Sequence, residues 1–146
     1  MAIRRLDNVL IVVDDLDAVI AFFLALGLEL EGRGPLDWPG AERVIGLTGV
    51  RQEIAMLRVP DGPGRIELAR FHQPEAITPV PAEAPANTLG LRRVMFAVDD
   101  LHEVVGRMRQ RGAELVGEIV RFEDVYLLCY LRGPEGIVVG LAEQLS

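Results

Sequence analysis

The chain has a single cysteine, only two histidines and fewer basic than acidic residues. Each shortage excludes something. With Cys129 alone, no disulfide can close within the chain, and a reducing compartment fits. The thiol lies inside the apolar run VYLLCYL, which predicts a buried, inert side chain rather than a nucleophile. The net charge of −7 argues against nucleic acid and anionic membrane surfaces, both of which ask for basic residues. Long hydrophobic runs are missing too. The first apolar stretch, VLIVV, stops at Asp14-Asp15 and is too short for a signal peptide or a membrane span, so a cytoplasmic protein is expected.

What is present is a globular balance. Half of the 146 residues are hydrophobic and a quarter are charged, enough for a single domain with its own core. The dominant feature is a repeat. Residues 6–30 align without gaps to residues 91–115, with identities at Leu6/Leu91, Val9/Val94, Val13/Val98, Asp14/Asp99, Asp15/Asp100, Leu16/Leu101, Val19/Val104, Gly27/Gly112, Glu29/Glu114 and Leu30/Leu115. An offset of 85 residues is too long for a solenoid unit and points to two half-domains.

Each copy has one local form. The runs VLIVV and VMFAV have the branched and aromatic content of strands buried on both faces. The aspartate pairs that follow offer carboxylate oxygens to the first turn of a helix, where negative charge also suits the helix dipole. Leu16, Val19, Ile20 and Phe23 make one apolar stripe; Leu101, Val104, Val105 and Met108 make its counterpart. Gly27 and Gly112 close the helices. Short strands then alternate with Gly-Pro turns: IAMLRVP, the turn Asp61–Gly64 and RIELARF in the first half; ELVGEIVRF, VYLLCYLR, the turn Gly133–Gly136 and IVVGLA in the second. GRGPLDWPG reads as a loop, and AERVIGL as a short helix or a strand. Residues 74–86 hold four of the nine prolines and read as an extended linker. The expected fold is therefore α+β: two βαβββ modules, 1–73 and 87–146, in one domain, with about eight strands in a curved, mostly antiparallel sheet around a cleft and helices outside.

This duplicated strand–VDDL–helix opening, with the closing hairpin GPEGIVVGLAE, resembles the vicinal oxygen chelate superfamily, which includes glyoxalase I, methylmalonyl-CoA epimerase, extradiol dioxygenases, and fosfomycin and bleomycin resistance proteins. The resemblance implies a cleft that in many members holds one divalent metal, with a histidine from the first strand and a glutamate from the last strand of each module. Carried across, the four positions fall on Asn8, Glu67, Arg93 and Gly140. The closing strands support the alignment, since Glu67-Leu68-Ala69 matches Gly140-Leu141-Ala142. A guanidinium offers no lone pair and repels a cation, and glycine has no side chain, so no metal or other cofactor is expected. His102 reads as surface on the outer side of its helix. His72, beside Pro74, sits where it could reach a cleft rim. Strand alternation sends Leu10 inward with Asn8, and Met95 inward with Arg93. The resulting site is an apolar small-molecule pocket with Asn8, Glu67 and Arg93 at its centre, in which Arg93 pairs with Glu67 and Gly140 leaves extra room. Trp38 and Asp37 belong to a loop that could lid the pocket, meet a second subunit or cap the core. The resemblance implies a homodimer. Two functions stay open: metal-free binding of a small molecule, or a divergent lyase or isomerase with Glu67 as base.

Overall fold

The computed structural model describes residues 2–36 and 38–145; Asp37 lies outside them. The chain divides into two compact units, Met1–Thr78 and Pro79–Ser146.

In the first unit the order is β1 (Val9–Val12), α1 (Leu16–Leu26), β2 (Glu29–Leu36), α2 (Ala41–Ile45), β3 (Arg51–Arg58) and β4 (Arg65–Gln73). These form a mixed sheet, β1-β4-β3-β2, with β1 parallel to β4 and the other pairs antiparallel. The second unit repeats the plan with β5 (Val94–Ala97), α3 (Leu101–Gln110), β6 (Glu114–Leu115), β7 (Val120–Phe122), β8 (Tyr126–Arg132) and β9 (Val138–Gln144). Its sheet runs β5-β9-β8-β6, with β7 also on β8 and β5 parallel to β9. The α+β class and the duplicated plan are as expected. The described residues hold nine strands rather than about eight, in sheets of four and five. The extra strand arises because ELVGEIVRF breaks at Val116–Ile119, giving two short strands instead of one.

The α1 stripe buries Leu16, Val19, Ile20 and Phe23 beside Ala55, Leu57, Ile66 and Leu68 of its sheet. Phe22 adds an edge-on ring contact to Phe23, with centroids 5.1 Å apart. In the second unit Leu101, Val104, Val105 and Met108 are buried, as are Cys129, Leu131, Val139 and Leu141 from β8 and β9. Full burial of one such side chain is worth about 1.5–3 kcal/mol. Gly27 and Gly112 take the positive φ expected at the helix ends.

The aspartate caps form as predicted. Asp15 accepts from the backbone N–H of Ala18 at 3.0 Å and Asp100 from that of Glu103 at 3.2 Å. The second helix has a further acceptor that the sequence did not announce: Glu143 on β9 takes the backbone N–H of Leu101 at 2.8 Å. Asp15→Ala should therefore cost about 1 kcal/mol. Asp100→Ala should cost less, because Glu143 still serves the first turn; chemical denaturation of the two variants side by side checks this order.

Two expectations change, and one open alternative is settled. VLIVV and VMFAV are not buried on both faces: β1 and β5 are the end strands of their sheets, and Leu10 and Met95 remain 47% and 43% exposed. GRGPLDWPG is not wholly loop, since Gly32–Leu36 continue β2 against β3. Pro35 is tolerated there because β2 is an edge strand, where a missing N–H breaks no ladder. AERVIGL resolves to the short helix α2. Within the proline-rich stretch, residues 79–86 fall in the second unit, where Arg132 donates to the carbonyls of Ala84 (3.3 Å) and Gly136 (3.2 Å). No helix of the described residues is long and apolar enough to cross a membrane.

The Cys129 thiol is buried, and loss of solvent pushes its pKa up. A thiol held protonated and covered reacts slowly. A disulfide exchange reagent should label the folded protein negligibly and the denatured protein once per chain, read by thiol titration.

Candidate functional site

Strand pairing decides which side chains share the sheet face opposite each helix. In the second unit Met95 is registered with Gly140, and Gly140 with Tyr130. Arg93 stands two residues before Met95, just ahead of β5, and its guanidinium lies over the Tyr130 ring, 4.2 Å from the centroid. Gly140 is buried at the centre of this group. A Cβ there would meet Met95 Cγ at 3.0 Å and Tyr130 Cδ1 at 3.3 Å. The expected spare room at Gly140 is thus taken: the methionine and the tyrosine close over the backbone. The result is an exposed cation braced on an aromatic ring with a thioether beside it. An Arg–aromatic contact of this kind is worth about 0.5–1 kcal/mol at an exposed site.

The first unit brings Leu10, Glu67 and Met56 into one row across three strands. Glu67 is half-buried between two apolar neighbours. Among the described residues its carboxylate makes no hydrogen bond or ion pair. Asn8 lies one residue ahead of β1, and its amide donates to Asp7 Oδ2 at 3.1 Å. That contact, followed by Arg5, holds the Asp7 carboxyl below its usual range. Trp38 folds its ring onto Gly40, where a Cβ would come within 2.1 Å of the ring, and stays 48% exposed.

The first unit also has a pocket of about 350 Å³ at the other end of β3, lined by Pro35, Leu36, Val50, Arg51, Gln52, Glu53 and His72. His72 lines this pocket rather than a space beside Asn8 or Glu67. Glu53 accepts from Arg33 Nε at 2.8 Å, and Arg33 also reaches Asp17 at 2.6 Å. The first of these bonds holds the Glu53 carboxyl below its usual range.

The donor set does not suit a divalent metal. Each unit can be judged alone: the first supplies one carboxylate and one amide at the relevant positions, the second a guanidinium and a glycine. Among the described residues no three His, Cys, Asp or Glu side chains gather as metal ligands would. No step through a metal follows from these residues.

A model of the Glyoxalase/Bleomycin resistance protein/Dioxygenase superfamily matches residues 5–141. The chain belongs to that superfamily. Among solved structures it is similar to a glyoxalase family protein from Bacillus cereus, at 52% identity and a TM-score of 0.92, covering 100% of this chain and 99% of that one. Two more distant structures share the fold. TnmS3, an antibiotic binding protein from Streptomyces sp. CB03234, has 18% identity and a TM-score of 0.61, with 99% and 98% of the chains covered. FosX, a fosfomycin resistance protein from Listeria monocytogenes, has 14% identity and a TM-score of 0.63, with 99% and 94% covered. No curated protein matches the chain. As a glyoxalase-superfamily member the chain keeps the fold. Tyr130 was missed from sequence. Its signal was available in the β8–β9 hairpin, where counting back from the Gly133–Gly136 turn pairs Tyr130 with Gly140.

Proposed function

We propose that the protein binds a small molecule without a metal, using Arg93 to hold a carboxylate or carbonyl oxygen of the ligand. The observation that carries this reading is the Arg93 guanidinium fixed over Tyr130, beside Met95 and above the closed Gly140 position. Cation–π bracing limits the side chain's freedom, and a planar guanidinium presents two parallel N–H groups to an oxygen pair. Met95, beside the same ring and Gly140, supplies apolar contact. The names of TnmS3 and FosX, an antibiotic binding protein and a resistance protein, support a ligand of drug-like size. Assembly as a cytoplasmic homodimer completes the proposal; sedimentation of the purified protein tests the dimer.

A thermal-shift screen of organic acids and antibiotics, run on the native protein and on Arg93→Ala, tests the site. Stabilisation of both proteins by the same compounds would refute a role for Arg93.

The second reading, a lyase or isomerase, rests on Glu67. A half-buried carboxylate with no partner among the described residues, flanked by Leu10 and Met56, is the environment of a general base. It predicts turnover of a 2-oxoaldehyde–thiol adduct or a CoA thioester that Glu67→Gln abolishes. Binding without turnover supports the first reading.

A further inference from the structure

The pocket at the end of β3 has chemistry that the Arg93 site does not use. It begins with an irregularity in the ladder. Arg51 pairs with Gln73 and Gln52 with Phe71, so His72 is left without a partner strand residue. A bulge of this kind re-aims a side chain, and the pocket lining shows where: His72 joins Arg51, Gln52 and Glu53 around one cavity. Gln52 is the only buried polar residue of the described chain, at 6% exposure, and its side-chain amide makes no hydrogen bond among the described residues. Its amide atoms keep some contact with solvent, so they offer a free donor and acceptor at the cavity wall. Arg51 has no acidic partner among the described residues either, while the carboxylate of Glu53 is held by Arg33. The uncompensated charge in the pocket is therefore positive. Pro35, Leu36 and Val50 complete it with apolar wall.

The loop before β3 is anchored to α2. The backbone N–H of Gly49 donates to the Glu42 carboxylate, and a Cβ at Gly49 would lie 2.9 Å from Gln73 Nε2. Gly49 has φ +66, so this close approach to β4 suits glycine alone. The pocket is also separate from the Glu67 row. Gln52 lies four residues along β3 from Met56, the residue registered with Glu67, or about 13 Å at the usual strand rise.

We propose that this pocket is a second binding site, independent of Arg93, for a small organic carboxylate with a short apolar body. Arg51 takes the carboxylate, the Gln52 amide and the His72 imidazole hydrogen-bond to the same end of the ligand, and Leu36 and Val50 receive its apolar part. The cavity volume fits a ligand at the small end of the usual range.

The experiment is a titration of the full chain with benzoate, followed by 1H–15N spectra, with inorganic phosphate as the comparison anion. Saturable shifts are expected in the Gln52 side-chain amide and in the backbone amides of Val50 and His72. Nuclear Overhauser contacts from the benzoate ring to the Leu36 and Val50 methyls are expected in the native protein, without recourse to any variant. Arg51→Gln should weaken binding at least tenfold and His72→Ala about threefold. Both side chains are exposed, so neither change empties the core. Arg93→Ala should leave this titration unchanged, whatever it does elsewhere. No saturable shift at these residues, an affinity indifferent to Arg51→Gln, or loss of the shifts in Arg93→Ala would overturn the second site. Phosphate binding as tightly as benzoate would overturn the carboxylate assignment.

Discussion

Glutamate at position 140 will not rebuild a metal centre; Gly140→Glu should instead destabilise the protein by about 3 kcal/mol, roughly a 10 °C fall in Tm. The family pattern places a carboxylate at this position, so the substitution looks on paper like a restoration. The structure argues otherwise. Gly140 is buried, and even a Cβ would press on Met95 and Tyr130 at 3.0–3.3 Å. A full side chain must displace both, and it carries a charge into a space lined by thioether and aromatic carbon. Gly140→Ala separates the two costs, since it adds only the crowding; about 1 kcal/mol is expected, with the neighbours yielding by a few tenths of an ångström. If Gly140→Glu is as stable as the native protein and takes up a divalent ion, the Met95–Tyr130 closure is not the reason for the glycine.

Arg93→Ala should weaken binding of an anionic small molecule about 10- to 100-fold while leaving Tm within about 1 °C. A charge-assisted hydrogen bond pair to a guanidinium is worth about 1.5–3 kcal/mol, which converts to this range. Stability should hardly move, because Arg93 is exposed and its contact is to one ring face. Tyr130→Leu should lose a smaller factor, about threefold, by freeing the guanidinium rather than removing it. Arg93→Lys keeps the charge and gives up the planar fork, so it should recover only part of the affinity. Calorimetric titration of the four proteins with a ligand from the thermal-shift screen orders them as native, Tyr130→Leu, Arg93→Lys and Arg93→Ala. Equal affinities for the native protein and Arg93→Ala would remove the basis of the proposed function.

The parts of the fold that depend on local chemistry were legible in the sequence. Asp15 and Asp100 cap helices because a short carboxylate ahead of an apolar stripe has one favourable use, and the stripes at Leu16–Phe23 and Leu101–Met108 bury as their spacing requires. The repeat and the closing hairpin carried the resemblance to the superfamily, which the family model bears out. What escaped notice depends on pairing between strands. Tyr130 under Arg93 follows from the β8–β9 register, which a reading of each strand alone does not contain. The bulge that turns His72 toward Gln52 and Arg51 is likewise a property of two strands at once. The same cause explains the error at Gly32–Leu36: glycine and proline speak for a loop, but the edge of a sheet tolerates them. Gly140 looks like a gap in the sequence because the missing side chain is visible there and the neighbours that close over it, Met95 and Tyr130, are not.

The central claim is that this superfamily member works without a bound divalent ion, Arg93 supplying the positive charge in its place. Equilibrium dialysis of the chelator-treated native protein against Zn²⁺, Ni²⁺, Co²⁺ and Mn²⁺ tests it most directly. The account predicts less than one tenth of an equivalent of any of the four at micromolar free metal, as expected where convergent lone-pair donors are lacking. About one equivalent of any of them, lost on changing Glu67 to glutamine, would contradict it.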